Sequence, residues 1–139
     1  KRTRFFDLYD DDEARYSVIE RAGELLSGLE NDLPHFVKFM LHSNVGQGFW
    51  LHLPKKFCEA HMPDHDTNVS LVNEWGKEYR ATFLLGRYGL SAGWRGFSIS
   101  HRLLKGDILI FHLIQPCKFK VHIVRANKSD VMGAALCLM

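Results

Sequence analysis

At 139 residues, 46% of them hydrophobic and 12% aromatic, the chain is sized for one domain with an ordinary core. No window approaches the roughly 18 to 20 continuous apolar residues of a membrane span, and the start KRTRFFDLYDDDE carries no apolar run of a secretory signal. Cys58, Cys117 and Cys137 are odd in number and form no CxxC pair, which argues against a disulfide framework and for a reducing, intracellular setting.

The net charge of +2 is unevenly spread. Residues 1–33 hold five Lys/Arg against nine Asp/Glu, residues 34–126 hold twelve against six, and residues 127–139 balance. The middle segment therefore carries a surplus of +6, the sign that phosphate binding requires, although an ordinary solvated surface gives similar counts.

In chain order, the acidic cluster Asp10, Asp11, Asp12 and Glu13 suits a helix N-terminus, and Val18, Ala22, Leu25 and Leu29 form one stripe. The spacing predicts an amphipathic helix over 13–29, packed on its own domain or docking a partner or a second copy. From Pro34 the period changes. HFVKFMLH (35–42) and FWLHLP (49–54) read as strands around the polar loop SNVGQG (43–48). Pro54 suits the first position of a short helix, KKFCEAH, which Pro63 ends. TNVSLVN (67–73) and EYRATFLL (78–85) alternate with period two and predict a hairpin. The glycine-punctuated stretch LGRYGLSAGW (85–94) then leads into a short helix over 94–101, with Trp94, Phe97 and Ile99 available to the core. The turn KGD (105–107) introduces ILIFHLI, and QPCK (115–118) introduces FKVHIVRA, a second hairpin. About seven short strands without a βαβ rhythm predict a compact all-β barrel.

The order strand, polar arm, strand, proline-started helix, hairpin, and then LSAGWRGFSISHRLLKGDILIFHLI resembles the plant-specific B3 DNA-binding domain over about residues 34–126. Its specific parts are SAGW at 91–94, WRGF at 94–97 and LLKGDILIF at 103–111. The resemblance implies a seven-stranded open barrel flanked by two short helices, here preceded by an N-terminal helical extension (1–33) and followed by an apolar tail (127–139). It implies a nuclear transcriptional regulator that binds double-stranded DNA through two arms in the major groove, with no cofactor, membrane or small-molecule substrate. Base contacts are expected from Ser43, Asn44 and Gln47 in the first arm and from Arg87 and Tyr88 in the second. An arginine fork suits guanine O6/N7, and side-chain amides suit adenine N6/N7. Lys38, Lys55, Lys56, Ser91, Trp94 and Arg95 are expected near phosphates, where contacts position the domain without specifying sequence.

Two other readings of the residues are weaker. Cys58, His61 and His65 have the spacing C-x2-H-x3-H, but a fourth ligand is missing and Pro63 interrupts the run, so no metal site is expected. Eight histidines invite acid–base chemistry, yet there is no GxSxG, P-loop or carboxylate pair, and the chain is not expected to be an enzyme. The alternative to DNA reading is an interaction module in which the 13–29 helix docks a protein or forms a homodimer, with weak or non-specific DNA binding.

Overall fold

A computed structural model describes residues 12–29, 32–46 and 48–126. Seven strands, β1 (His35–Phe39), β2 (Leu51–His52), β3 (Thr67–Val72), β4 (Glu78–Leu84), β5 (Gly89–Leu90), β6 (Ile108–Gln115) and β7 (Lys118–Val124), form one sheet in the order β1-β6-β7-β3-β4-β5-β2. Every neighbouring pair is antiparallel except β3 with β7. Both edge strands feed one interior cluster: Phe36 of β1 and Leu51 of β2 share it with Leu71, Phe83, Phe111 and Phe119. A flat sheet could not bring its two edges to a common core, so the sheet curls into the expected open barrel.

Strand alternation assigns the faces. On β6, Leu109, Phe111 and Leu113 point into the barrel, while Ile108 packs outside against helix α1 (Asp12–Ser27). Burial on both faces explains why ILIFHLI is a continuous apolar run rather than an alternating one. The stripe predicted on α1 is spent within the molecule: Val18 and Ala22 are buried against Ile108 and Val124, with Leu25, Val37, Phe39 and Ala126 around them. Burial of Val18 alone is worth about 2 kcal/mol. The reading in which this stripe docks a second chain gains no support. Asp10, Asp11 and the 127–139 tail lie outside the described residues.

Three further helices interrupt the strands: α2 (His42–Val45), α3 (Lys55–His61) and α4 (Trp94–Ser100). Pro54 occupies the N-cap of α3, one position earlier than expected, and Pro63 follows the C-cap Met62. Cys58 turns into the core, and burial with help from Glu59 pushes its thiol up to about 11. His61 lies against Phe57 and His65 faces solvent beside Asp64, so the C-x2-H-x3-H residues point apart. On α4 the buried face is Trp94, Phe97 and Ser98, continued by His101. Ile99 stands about 200° around the helix from Phe97. It is accordingly 55% exposed, against the expectation that it joins the core.

The KGD turn is held by one buried carboxylate. Asp107 accepts from the backbone N–H of Leu104 (2.9 Å) and Ala126 (3.0 Å) and from Arg125 Nη1 (3.3 Å). Arg125 donates also to the carbonyls of Arg102 and His101. Burial raises the Asp107 pKa against the pull of these donors.

Candidate nucleic-acid interface

The first arm joins β1 to β2. It is a single helical turn rather than an open loop, and Asn44 is the residue that folds it. The Asn44 Oδ1 accepts from Leu41 N–H at 2.7 Å, its Nδ2 donates to the Trp50 carbonyl at 2.9 Å, and its own carbonyl accepts from Trp94 Nε1 at 2.8 Å. With both ends of its amide engaged and only 5% of its surface exposed, Asn44 braces the arm and has no free edge for adenine. Ser43 is exposed on the same turn, and Gln47 lies outside the described residues.

The second arm joins β4 to β5 through a 3-10 turn, Leu85–Arg87. Asp66 Oδ1 fixes its start by accepting Leu85 N–H at 2.8 Å, and Tyr88 closes it in the left-handed region at φ 46°. The roots of the two arms are zipped together. Leu51 pairs with Leu90 and His52 with Gly89, and Leu53 N–H donates to the Tyr88 carbonyl at 2.8 Å. Gly89 is required here, because a Cβ would stand 2.3 Å from the Trp50 ring. Gly93, at φ 92° before α4, is equally fixed: its Cβ would meet the Arg80 carbonyl oxygen at 2.0 Å.

Around this clamp stand the cations. The Arg87 guanidinium carbon lies 4.4 Å from the centre of the Trp50 ring, and that of Arg95 lies 5.2 Å from the Phe49 ring. Arg87, Arg95, Lys55 and Lys56 are exposed, and among the described residues none of them forms an ion pair. A guanidinium set over an aromatic ring keeps N–H donors free for phosphate or a base edge. Ser91 is half-buried, its N–H donating to the Thr82 carbonyl at 2.9 Å and its hydroxyl to the same oxygen at 3.5 Å. Tyr88 packs partly against the barrel interior.

Two expected phosphate contacts are placed differently. Trp94 is fully buried, and its one side-chain N–H is given to the Asn44 carbonyl, so it ties α4 to the first arm and has no surface for a phosphate. Lys38 lies mid-strand opposite Leu109, half-buried on the side of β1 shared by Phe36 and Met40, and desolvation pulls its pKa down. Trp50, Phe49 and Asp66 were not anticipated as parts of the site. Period-two reading of FWLHL contained a signal for Trp50, since Leu51 and Leu53 face the core and leave Trp50 on the outer side beside the arginine arm. Nothing local marks Asp66, whose partner lies 19 residues away.

A sequence model of the B3 DNA binding domain matches residues 36–127. The chain is 48% identical over 118 residues to the B3 domain-containing protein Os03g0184500 of Oryza sativa subsp. japonica, covering 85% of this chain and 50% of that protein. It is also 48% identical over 120 residues to the B3 domain-containing protein At3g19184 of Arabidopsis thaliana, covering 86% and 43%. The chain thus spans about half the length of these relatives. Its fold is similar to that of the hypothetical Arabidopsis thaliana protein At1g16640.1, with a TM-score of 0.56 at 21% identity over 68% of this chain and 93% of that one. It is similar also to the N-terminal domain of Helicobacter pylori LlaJI.R1, with a TM-score of 0.54 at 16% identity over 73% and 89%. The open barrel, the Gly-Trp helix start, the KGD turn and the match across residues 36–127 agree: this chain belongs to the B3 DNA-binding domain family.

Proposed function

We propose that the chain binds double-stranded DNA in a sequence-dependent way, laying its two arms in the major groove, and that it serves a nuclear transcriptional regulator of a plant. The observation that carries this reading is the β2–β5 pairing, which holds two arms side by side with the exposed Arg87 supported on Trp50. In this reading Arg87 is the principal base reader, with further base contacts from Ser43, Gln47 and the exposed part of Tyr88. Lys55, Lys56, Arg95 and Ser91 anchor phosphates at the arm roots, while Asn44 and Trp94 hold the first arm in shape. Such a division separates specificity from electrostatic affinity.

Selection of preferred duplexes from a random pool, followed by affinity measurement on substituted protein, tests the assignment. Arg87→Ala is expected to lose about 1 to 3 kcal/mol on the preferred duplex and to relax preference at one or two positions. Lys55→Ala is expected to weaken all duplexes similarly and to flatten the salt dependence by about one unit. An Arg87→Ala protein with unaltered sequence preference would refute the base-reading role.

A further inference from the structure

We propose that Trp50 is a positioning residue for Arg87, and through it a determinant of DNA sequence preference; this deepens the DNA-binding reading and rests on it. Trp50 is fastened by both arms at once. Its carbonyl accepts from Asn44 Nδ2 at 2.9 Å and its N–H points to the Ser43 carbonyl at 3.4 Å, both in the first arm. Its ring borders Gly89, where a Cβ would come to 2.3 Å, and carries the Arg87 guanidinium 4.4 Å above its centre, both in the second arm. His52 closes one edge of the indole at 5.5 Å, nearly perpendicular. Arg87 itself has no carboxylate or hydrogen-bond partner among the described residues that would otherwise orient it.

An unstacked arginine on an exposed turn samples many rotamers and must lose them when it docks on a base edge. A guanidinium held over an indole has that freedom reduced beforehand, and its fork of donors is not used up by the contact. Indole is the best of the aromatic partners for a cation, and leucine has no π-face at all. The stack also couples the arms: a displacement of Asn44 in the first arm is transmitted by Trp50 to the reading residue of the second.

The test uses the chain as it stands and the duplex selected from a random pool, alongside a shuffled duplex. Trp50→Leu should weaken the preferred duplex by about 2- to 5-fold, the worth of an exposed cation–π contact. It should leave the shuffled duplex and the slope against salt unchanged, and Trp50→Phe should recover part of the loss. In the Trp50→Leu/Arg87→Ala double variant the preferred duplex should bind no more weakly than to Arg87→Ala alone. Additive losses, or an equal loss on both duplexes, would overturn the proposal. A second readout needs no DNA: the Arg87 side-chain protons of the free protein should show an upfield ring-current shift that Trp50→Leu abolishes and Trp50→Phe retains in part. If Trp50→Leu unfolds, the Phe variant and the wild-type shift decide the matter, and an unshifted Arg87 in the wild type overturns it. A wild-type protein that binds no duplex would instead overturn the DNA-binding reading, with the ring-current result still judging the stack.

Discussion

Replacing Trp94 by Phe isolates the bond that links α4 to the first arm. The residue is fully buried, its ring lies 5.6 Å from that of Phe97 at 22° and 6.4 Å from that of Phe111, and its Nε1 donates to the Asn44 carbonyl at 2.8 Å. A phenyl ring keeps much of the aromatic packing and deletes the donor. The hydrogen bond is worth about 1 kcal/mol, and a buried carbonyl left without it adds a desolvation cost of about 1 kcal/mol or more. The volume removed is on the order of 40 Å³, which at ~24 cal/mol per Å³ of residual cavity costs about 1 kcal/mol. A total loss of about 2 to 4 kcal/mol follows, a large share of the stability of an ordinary domain. Urea unfolding followed by far-UV circular dichroism should show a midpoint lower by about 2 M, at a slope typical of small domains. Amide exchange adds the local test: Asn44 and Gly46, whose N–H groups close the helical turn on Leu41 and His42, should exchange faster relative to the barrel strands. A loss below about 0.5 kcal/mol, or first-arm exchange that tracks the strands unchanged, would refute the claim that Trp94 holds the arm.

Asp107→Ala removes the acceptor shared by Leu104, Ala126 and Arg125 and is expected to cost about 3 to 5 kcal/mol by chemical denaturation; a loss under 1 kcal/mol would contradict the clasp. Stability should also fall on mild acidification. Asn73 Oδ1 accepts from Trp75 and Lys77 N–H, which leaves its Nδ2 to donate to His101 Nε2, while His101 Nδ1–H donates to the Phe97 carbonyl, so this histidine is held neutral. Burial lowers the pKa of His101 from its ordinary 6.5, and that of His122 likewise, with Lys120 and His112 adding to the second. Because the unfolded chain binds these protons more readily, the contribution of both groups is fully present above 6.5 and is lost progressively as the pH falls from there through the lower folded-state values. The urea midpoint should therefore be lower at about pH 5.5 than at about pH 7.5, and an unchanged or higher midpoint would contradict the neutral assignment. Asp107, whose carboxyl is raised by burial, works in the opposite sense nearer the carboxylate range, which is why the comparison stops there.

The barrel was legible because most of its strands alternate or run continuously apolar, and because SAGW leads into α4 and LLKGDILIF into β6 in the order the family resemblance implies. One strand, β5, was hidden within the glycine stretch: Gly89–Leu90 has no strand propensity of its own and exists through pairing with β2 and β4. The helical turn His42–Val45 is too short for periodicity to register. The loops between β1 and β2 and between β4 and β5 were legible, but not the structural work of each residue in them. An asparagine in a polar loop suits a base reader and an internal brace equally, and what decides is a bond to Trp94, 50 residues away. Trp50 read as a strand residue, and its outward face became meaningful only once Arg87 was seen above it.

The central claim is that the exposed cations around the paired arm roots meet the phosphates of a duplex. Equilibrium binding of a selected duplex between about 50 and 200 mM salt tests it most directly. With Arg95, Lys55 and Lys56 engaged, log K should fall linearly with log salt at a slope of about −2 to −3, close to 0.9 per phosphate neutralised. A flat line, or no binding at the lowest salt, would contradict the account.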